Sequence, residues 1–279
     1  MTKKYEVALF LTAIFWGLGF VFMDLALVEL NTFSILTLRF IGAGGILLIL
    51  NIANISKIVR RDWINGSILG IFLFLAFALQ TYGLMFTTAS RNAFLTAANV
   101  VFVPFLLYVL FRQKIEKKVV VGSVIMLLGI GFVSGLSFSG INIGDMLTLA
   151  SAIFFALHII YIGKSMDGKN LINLVTIQLL TAGILSLVTG LLTNSLSITG
   201  IGNVWFPVLY VILFSTLLTF FLQNYGLAYV DSSKGAVILA TEALFGTLGS
   251  IIILNEEMSI LMILGFCLMF IGIVVVERE

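Results

Sequence analysis

The sequence predicts an all-α integral membrane protein, with ten transmembrane helices arranged as two inverted five-helix repeats and both termini cytoplasmic. Three observations carry that prediction. The 279 residues are 61% hydrophobic and only 10% charged, where a soluble domain has roughly 25% charged residues and about half apolar ones. The lysines and arginines are sorted to one set of loops. Finally, the stretch Leu79-Gln80-Thr81-Tyr82-Gly83-Leu84 returns 143 positions later as Leu222-Gln223-Asn224-Tyr225-Gly226-Leu227.

Apolar segments fall at 5–23, 33–51, 66–86, 93–111, 119–137, 142–163, 170–192, 204–229, 235–254 and 258–276. At 1.5 Å per residue, each is long enough to cross about 30 Å of hydrocarbon. The first follows Lys3 and Lys4, as the core of a signal peptide would. It is longer than such a core, and no A-x-A-like cleavage pattern follows it, so a retained first helix is expected. The connections are short, and the only prolines are Pro104 and Pro207. The single cysteine, Cys267, lies within the tenth segment, which rules out a disulfide within the chain and suits a small packing residue.

Orientation follows from the basic residues of the short loops. With the N-terminus inside, thirteen of the 15 lysines and arginines collect on the inner side, from Lys3 and Lys4 through Lys57, Lys114, Lys164, Lys169 and Lys234 to Arg278. Only Arg91 lies outside, and Arg39 is within the second segment. An error in the helix count would scramble this asymmetry.

The repeat runs on without a gap: Ser90 falls on Ser233, Arg91 on Lys234, Ala97 on Ala240, Phe102 on Phe245, Gly122 on Gly265 and Gly129 on Gly272. The first two segments of each half align at an offset of 139, with Ala13-Ile14-Phe15 on Ala152-Ile153-Phe154 and Ala43-Gly44 on Ala182-Gly183. The halves are therefore expected at 1–137 and 138–279. Five segments is an odd number, so the second half enters the membrane from the opposite side. Such halves support alternating access around a site held between them.

With these residues in view, the chain resembles the drug/metabolite transporter superfamily, in its EamA-type ten-helix branch. The resemblance rests on Leu-Gln-x-Tyr-Gly-Leu ending segments 3 and 8, and on Ser90-Arg91-Asn92-Ala93-Phe94-Leu95 opening segment 4. The glycine pairs Gly122/Gly129 and Gly265/Gly272, and Ala13-Ile14-Phe15-Trp16-Gly17 in segment 1, belong to it as well. It covers essentially the whole chain. It implies secondary-active transport of small organic solutes, often export, through a cavity lined mainly by segments 1, 3, 4, 6, 8 and 9, with segments 5 and 10 at the periphery. The substrate is left open, since the family spans amino acids, nucleosides, sugars, vitamins and toxic compounds. One departure is visible: Pro104 has Thr247 opposite it, so a kink there is not expected in both halves.

Depth in the membrane selects the polar residues that could act. Glu242 lies eight residues beyond Lys234, about 12 Å deep. A charged group there costs on the order of 2.5–3.5 kcal/mol on insertion scales, so it is expected to face a cavity or a partner. It is a candidate for substrate binding and for proton coupling, against the alternative of a carboxyl that joins two helices. Asn99 is its repeat mate, a candidate for substrate contact or for interhelical bonding. Arg39 lies about 10 Å inside its segment; it could attract a carboxylate-bearing substrate, or reach Asp24 and Glu29 in a salt bridge. His158, the only histidine, could shuttle a proton or sit neutral and hydrogen-bonded. Trp16, Tyr82 and Tyr225 join an apolar ring to one polar handle, which suits a cavity for organic solutes. Tyr82 and Tyr225 also suit the interfacial aromatic belt. Gly235, Glu242, Gly246 and Gly249 form a small-residue stripe that leaves room for a ligand or for another helix. No metal site is expected, because no second histidine or nearby cysteine accompanies His158.

The expected function is secondary-active transport of small organic metabolites, amino acids or related solutes, with export coupled to a proton gradient. An importer or exchanger of metabolites or nucleosides on the same fold is the alternative. No G-x-x-x-x-G-K-[ST] loop is present, so ATP-driven pumping by this chain is not expected. An intramembrane lipid-modifying enzyme would need Glu242 and His158 brought together, and a receptor would need longer loops. No enzymatic activity, no cofactor and no nucleic-acid partner are expected. The expected partners are the lipid bilayer and a small-molecule substrate, with the chain a monomer or homodimer. The expected location is the cell (plasma) membrane, as a multi-pass protein of a bacterial or archaeal inner membrane.

Overall fold

In hydrocarbon, a run of some twenty apolar residues can satisfy its backbone by itself only as a helix. The computed structural model describes residues 3–133, 142–165, 171–255, 257 and 259–277, and among them every element is helical. These are α1 (Lys3–Leu27), α2 (Thr32–Leu50), α3 (Arg60–Leu84), α4 (Ala89–Phe111), α5 (Lys117–Val133), α6 (Ile143–Ser165), α7 (Leu171–Leu192), α8 (Trp205–Leu227), α9 (Ser232–Ile253) and α10 (Ile260–Glu277), with a 3-10 turn at Ile52–Lys57. Eight of them are long and apolar enough to cross a membrane; in α10 the apolar stretch is the shorter Ile263–Val276, and α5 has 17 residues. The expected end of the fifth segment at 137, the start of the tenth at 258, the repeat boundary at 137/138, Lys169 and Arg278 lie outside the described residues.

The apolar runs place the helices well and their ends less well. The third helix begins at Arg60, six residues before the apolar run, because Asp62 closes its first turn by accepting from the Val59 N–H at 3.2 Å. Capping is a local polar event that hydropathy does not register.

The packing repeats itself with the halves exchanged. In one half α1 packs on α8 and α9; in the other, its mate α6 packs on α3 and α4. The two Leu-Gln-x-Tyr-Gly-Leu ends lie at opposite ends of α1. Tyr5, in its first turn, stacks on Tyr229 at 4.2 Å and tilts against Tyr225 at 4.9 Å. Met23 and Ala26, near its other end, cluster with Leu84, Ala89 and Ala93. Helices α3 and α8 thus finish at opposite ends of α1.

Helices α5 and α10 pack on each other through their glycines. A Cβ on Gly122 would stand 2.8 Å from the Gly272 carbonyl oxygen, and one on Gly129 would stand 2.7 Å from that of Gly265. Each half supplies two glycines, and each glycine meets one from the other half. The small-residue stripe on α9 is likewise filled by helix: Gly246 faces Gly17 and Phe20 of α1 together with Ala93, while Gly249 faces Leu18 and Val21.

Candidate functional site

The mate helices α4 and α9 are both interrupted, and at mate positions. The first is broken at Ala98 and resumes at Asn99; the second is broken at Ala240 and Thr241 and resumes at Glu242. At both breaks the backbone tightens to bonds three residues apart, Ala98 N–H to Leu95 O at 3.3 Å and Thr241 N–H to Ile238 O at 3.2 Å. Asn99 and Glu242 therefore stand in the first turn of a half-helix, deep in the fold, 4% and 3% exposed. Discontinuous helices at a repeat interface are a recurring way to build a midplane site in transporters. The interruption is shared by both halves and lies away from Pro104, which sits inside the continuous stretch Asn99–Phe111.

A second irregularity has no mate. Leu213–Leu218 of α8 form a π-helical turn, whereas the matching residues of α3 stay in a regular helix. The widened turn offers the Ser215 carbonyl sideways, where it accepts from Trp16 Nε1 at 3.1 Å and from Arg39 Nη2 at 3.1 Å. Arg39 Nε donates to Thr216 Oγ1 at 2.9 Å, and that hydroxyl in turn donates to the Val211 carbonyl at 2.7 Å. The guanidinium also lies over the Phe77 ring at 4.2 Å, a cation–π contact strengthened by desolvation. Arg39 thus turns inward to α8 and away from Asp24 and Glu29; Glu29 accepts instead from Asn203.

These elements border a cavity of about 40 Å³ between the halves, lined by Trp16, Phe20, Arg39, Phe77, Gln80, Thr96, Asn99, Phe155, Ser215, Gln223 and Glu242 among others. That is room for a few water molecules, so a larger guest requires the walls to part. The floor is aromatic and obeys the repeat. Trp16 meets Phe220 at 5.4 Å and its mate Phe155 meets Phe77 at 5.0 Å, while the mates Phe77 and Phe220 touch each other at 6.0 Å. A contact between mates lies on the pseudo-two-fold axis.

The polar wall belongs mostly to the first half. Gln80 Nε2 donates to Thr96 Oγ1 at 2.9 Å; Asn92 Nδ2 donates to the Gln80 carbonyl at 3.1 Å and to Thr148 Oγ1 at 2.8 Å. Among the described residues, Asn99 Oδ1 and Gln223 Oε1 are buried acceptors with no hydrogen-bond partner. Buried polar atoms are nearly always satisfied, and these two belong to residues that line the cavity.

The structure brings together four of the seven candidates, Trp16, Arg39, Asn99 and Glu242. The other three are not among the cavity's lining residues. Tyr82 is 46% exposed and lines a separate groove of about 560 Å³ where α2 begins and α3 and α7 end. Tyr225 packs with Tyr5 and Tyr229. Their motif ends its helices, so both rings fall near the ends rather than at mid-depth. His158 is fully buried, with Nε2 3.1 Å from Gln178 Oε1 and its ring against Phe220. Among the described residues no group of three His, Cys, Asp or Glu is placed to hold a metal ion.

A model of the EamA-like transporter family matches the chain twice, over residues 3–135 and 142–278. The chain belongs to the EamA-like transporter family. It is similar, at 30% identity over 272 residues, to an uncharacterized transporter of Archaeoglobus fulgidus, covering 98% of this chain and 85% of that relative. An uncharacterized transporter of Bacillus subtilis, YvbV, is 27% identical over 293 residues, covering 99% and 93%. A solved crystal structure shares the fold with a TM-score of 0.79 at 15% identity, over 99% of this chain and 97% of that one. Family and apolar helices together make this a multi-pass membrane protein.

Proposed function

We propose that this EamA-family chain is a proton-coupled secondary-active exporter of small carboxylate-bearing organic metabolites, amino acids or related solutes, working across ten helices in the cell membrane. One observation carries the reading: a fixed cation, Arg39, and a carboxyl group, Glu242, line the same cavity between the halves. Among the described residues Arg39 has hydroxyl, carbonyl and aromatic neighbours but no ion-pair partner. A substrate carboxylate would complete that set through charge-assisted bonds. The acceptors Asn99 Oδ1 and Gln223 Oε1 suit a donor group on the solute, and the Trp16, Phe77 and Phe155 rings suit its apolar body. Glu242, at the break in α9, then carries the proton, taking it up on one side and releasing it on the other as the halves rock around the site.

The test uses purified protein in liposomes with amino acids and nucleosides as solutes under imposed gradients. Carboxylate-bearing solutes are expected to show protein-dependent flux. Glu242→Gln should keep counterflow exchange while losing accumulation driven by a pH gradient. No flux of any solute under any gradient would sink transport of these classes. Equal loss of exchange and accumulation in a folded variant would move Glu242 from coupling to substrate binding.

A further inference from the structure

The repeat carries an ion pair at each end of the molecule, and the two pairs are built from mate residues. Arg91 Nη2 lies 2.7 Å from Asp145 Oδ2, joining the start of α4 to the start of α6. Lys234 Nζ lies 2.9 Å from Glu6 Oε1, joining the start of α9 to the start of α1. Lys234 is the mate of Arg91 at the offset of 143, and Glu6 is the mate of Asp145 at the offset of 139. Each bond therefore links the same two helices of the repeat, at opposite ends of the antiparallel halves. The Asp145 carboxylate is further held by the Thr87 hydroxyl at 3.3 Å and the Asn142 N–H at 3.0 Å, and its side chain is 4% exposed against 21% for Glu6.

We propose that the two pairs are alternating latches: Arg91–Asp145 holds one mouth of the central cavity shut, Lys234–Glu6 holds the other, and opening either mouth breaks its own pair only. This rests on the transport reading above, since it assigns the parts of an alternating-access cycle. Both pairs are formed here, and the cavity between them is small and its lining residues such as Trp16, Asn92, Asn99 and Glu242 are buried, as an occluded intermediate requires. All four helices that the latches join line the cavity, beside α2, α3 and α8. Helix α4 contributes Asn92, Thr96 and Asn99, α6 contributes Phe155 and Ile159, α1 contributes Trp16 and Phe20, and α9 contributes Glu242. Separating α4 from α6 would open the cavity toward Asp145, and separating α9 from α1 would open it toward Glu6. The pairs are partly exposed, so each biases the equilibrium modestly and neither locks it.

The experiment reads thiol accessibility in a Cys267→Ser background. Thr96→Cys reports the wall toward Asp145, and Leu239→Cys, at the mate position, reports the wall toward Glu6. A membrane-impermeant maleimide is applied to each side of reconstituted vesicles. Arg91→Gln and Asp145→Asn should each speed labelling of Thr96→Cys by about two- to fivefold and slow that of Leu239→Cys. Lys234→Gln and Glu6→Gln should do the reverse. The charge exchange Arg91→Asp with Asp145→Arg should return both rates to the parental values. Melting temperatures identify any variant that is merely unfolded, and the partner substitution then serves in its place. Unchanged rates, rates that rise together at both sites, or failure of the exchanged pair to restore them would overturn the proposal. Labelling needs no substrate, so reciprocal shifts would stand even if no tested solute moved. Intact proton-coupled flux with flat labelling would remove the latches alone.

Discussion

The Asp145 end and the Glu6 end of the molecule are built from the same repeat and differ in what stands behind the ion pair. Behind Arg91–Asp145, the side-chain pairs Gln80–Thr96 and Asn92–Thr148, joined through the Gln80 backbone carbonyl, form one hydrogen-bonded wall that leads into the cavity. Their mates behind Lys234–Glu6 are Gln223, Gly235, Leu239 and Leu9. Leu9 and Leu239 are buried to 0% and 1% exposure, and Leu9 fits against the two glycines; a Cβ on Gly226 would stand 2.5 Å from its Cδ2. One end is a polar path and the other an apolar plug. Accordingly α4 lines the cavity with three residues, Asn92, Thr96 and Asn99, and α9 with Glu242 alone. Duplication has kept the backbone breaks and the ion pairs in register while the side-chain chemistry between them diverged. On the transport reading proposed above, direction enters the scaffold through that divergence.

The comparison breaks hardest at Gly17, where α1 crosses α9. Its mate on α6 is Ala156. A Cβ on Gly17 would stand 2.6 Å from the Glu242 carbonyl oxygen and 2.7 Å from Gly246 N, both backbone atoms in the first turns after the break. Side chains could adjust, but here a helix must move. Gly17→Ala should destabilise by about 3 kcal/mol, at the top of the overpacking range, read by thermal melting in detergent. The mirror change Ala156→Gly should cost about 1 kcal/mol. Equal melting temperatures would mean that the two crossings are equally loose.

Exchanging the chemistry of the two ends should have a smaller effect. Leu9→Thr thins the plug and should cost about 2 kcal/mol, since the new hydroxyl can bond its own helix as Thr148 bonds the Gly144 carbonyl at 2.7 Å. Thr148→Leu forfeits the bond from Asn92 and should cost about 1–2 kcal/mol. The more informative readout is leak. In liposomes Leu9→Thr should raise uncoupled solute efflux while Thr148→Leu lowers total flux. If both changes act alike on flux, the polar path and the apolar plug are not the source of direction.

The sequence carried depth far better than it carried facing. Runs of apolar residues were enough for the membrane-crossing helices, and four residues placed deep in those runs, Trp16, Arg39, Asn99 and Glu242, line one cavity. Which side of a helix a residue occupies was another matter, because helices apolar all round have no amphipathic stripe to orient them. His158 is therefore as deep as a site residue, yet it points to Gln178. Tyr82 and Tyr225 stood out because their motif is repeated, but the repetition marks helix ends. The breaks in α4 and α9 were invisible, since alanine and threonine stand there in place of glycine or proline. The π turn of α8 left no trace either. One further signal is legible in the sequence: Asn92, Thr96 and Asn99 are spaced four and three apart, a polar stripe along an otherwise apolar helix.

The smallest expected effect tests the asymmetry between α8 and α3. Trp16→Phe removes the indole N–H and keeps a ring on the cavity floor. If the π turn serves to present the Ser215 carbonyl, that oxygen still receives Arg39 Nη2 after the change, so nothing buried is left without a partner. The loss should then be about 1 kcal/mol, the worth of one hydrogen bond between neutral groups, with the folded protein still able to exchange solute. A loss of about 3 kcal/mol would mean that the indole holds the turn open and that Arg39 depends on it. The two cases separate further with Thr216→Val, which takes the acceptor from Arg39 Nε. That variant should weaken binding of carboxylate solutes more than Trp16→Phe does, because it loosens the cation itself. The reverse order would assign recognition to the aromatic floor and leave Arg39 as a brace between α2 and α8.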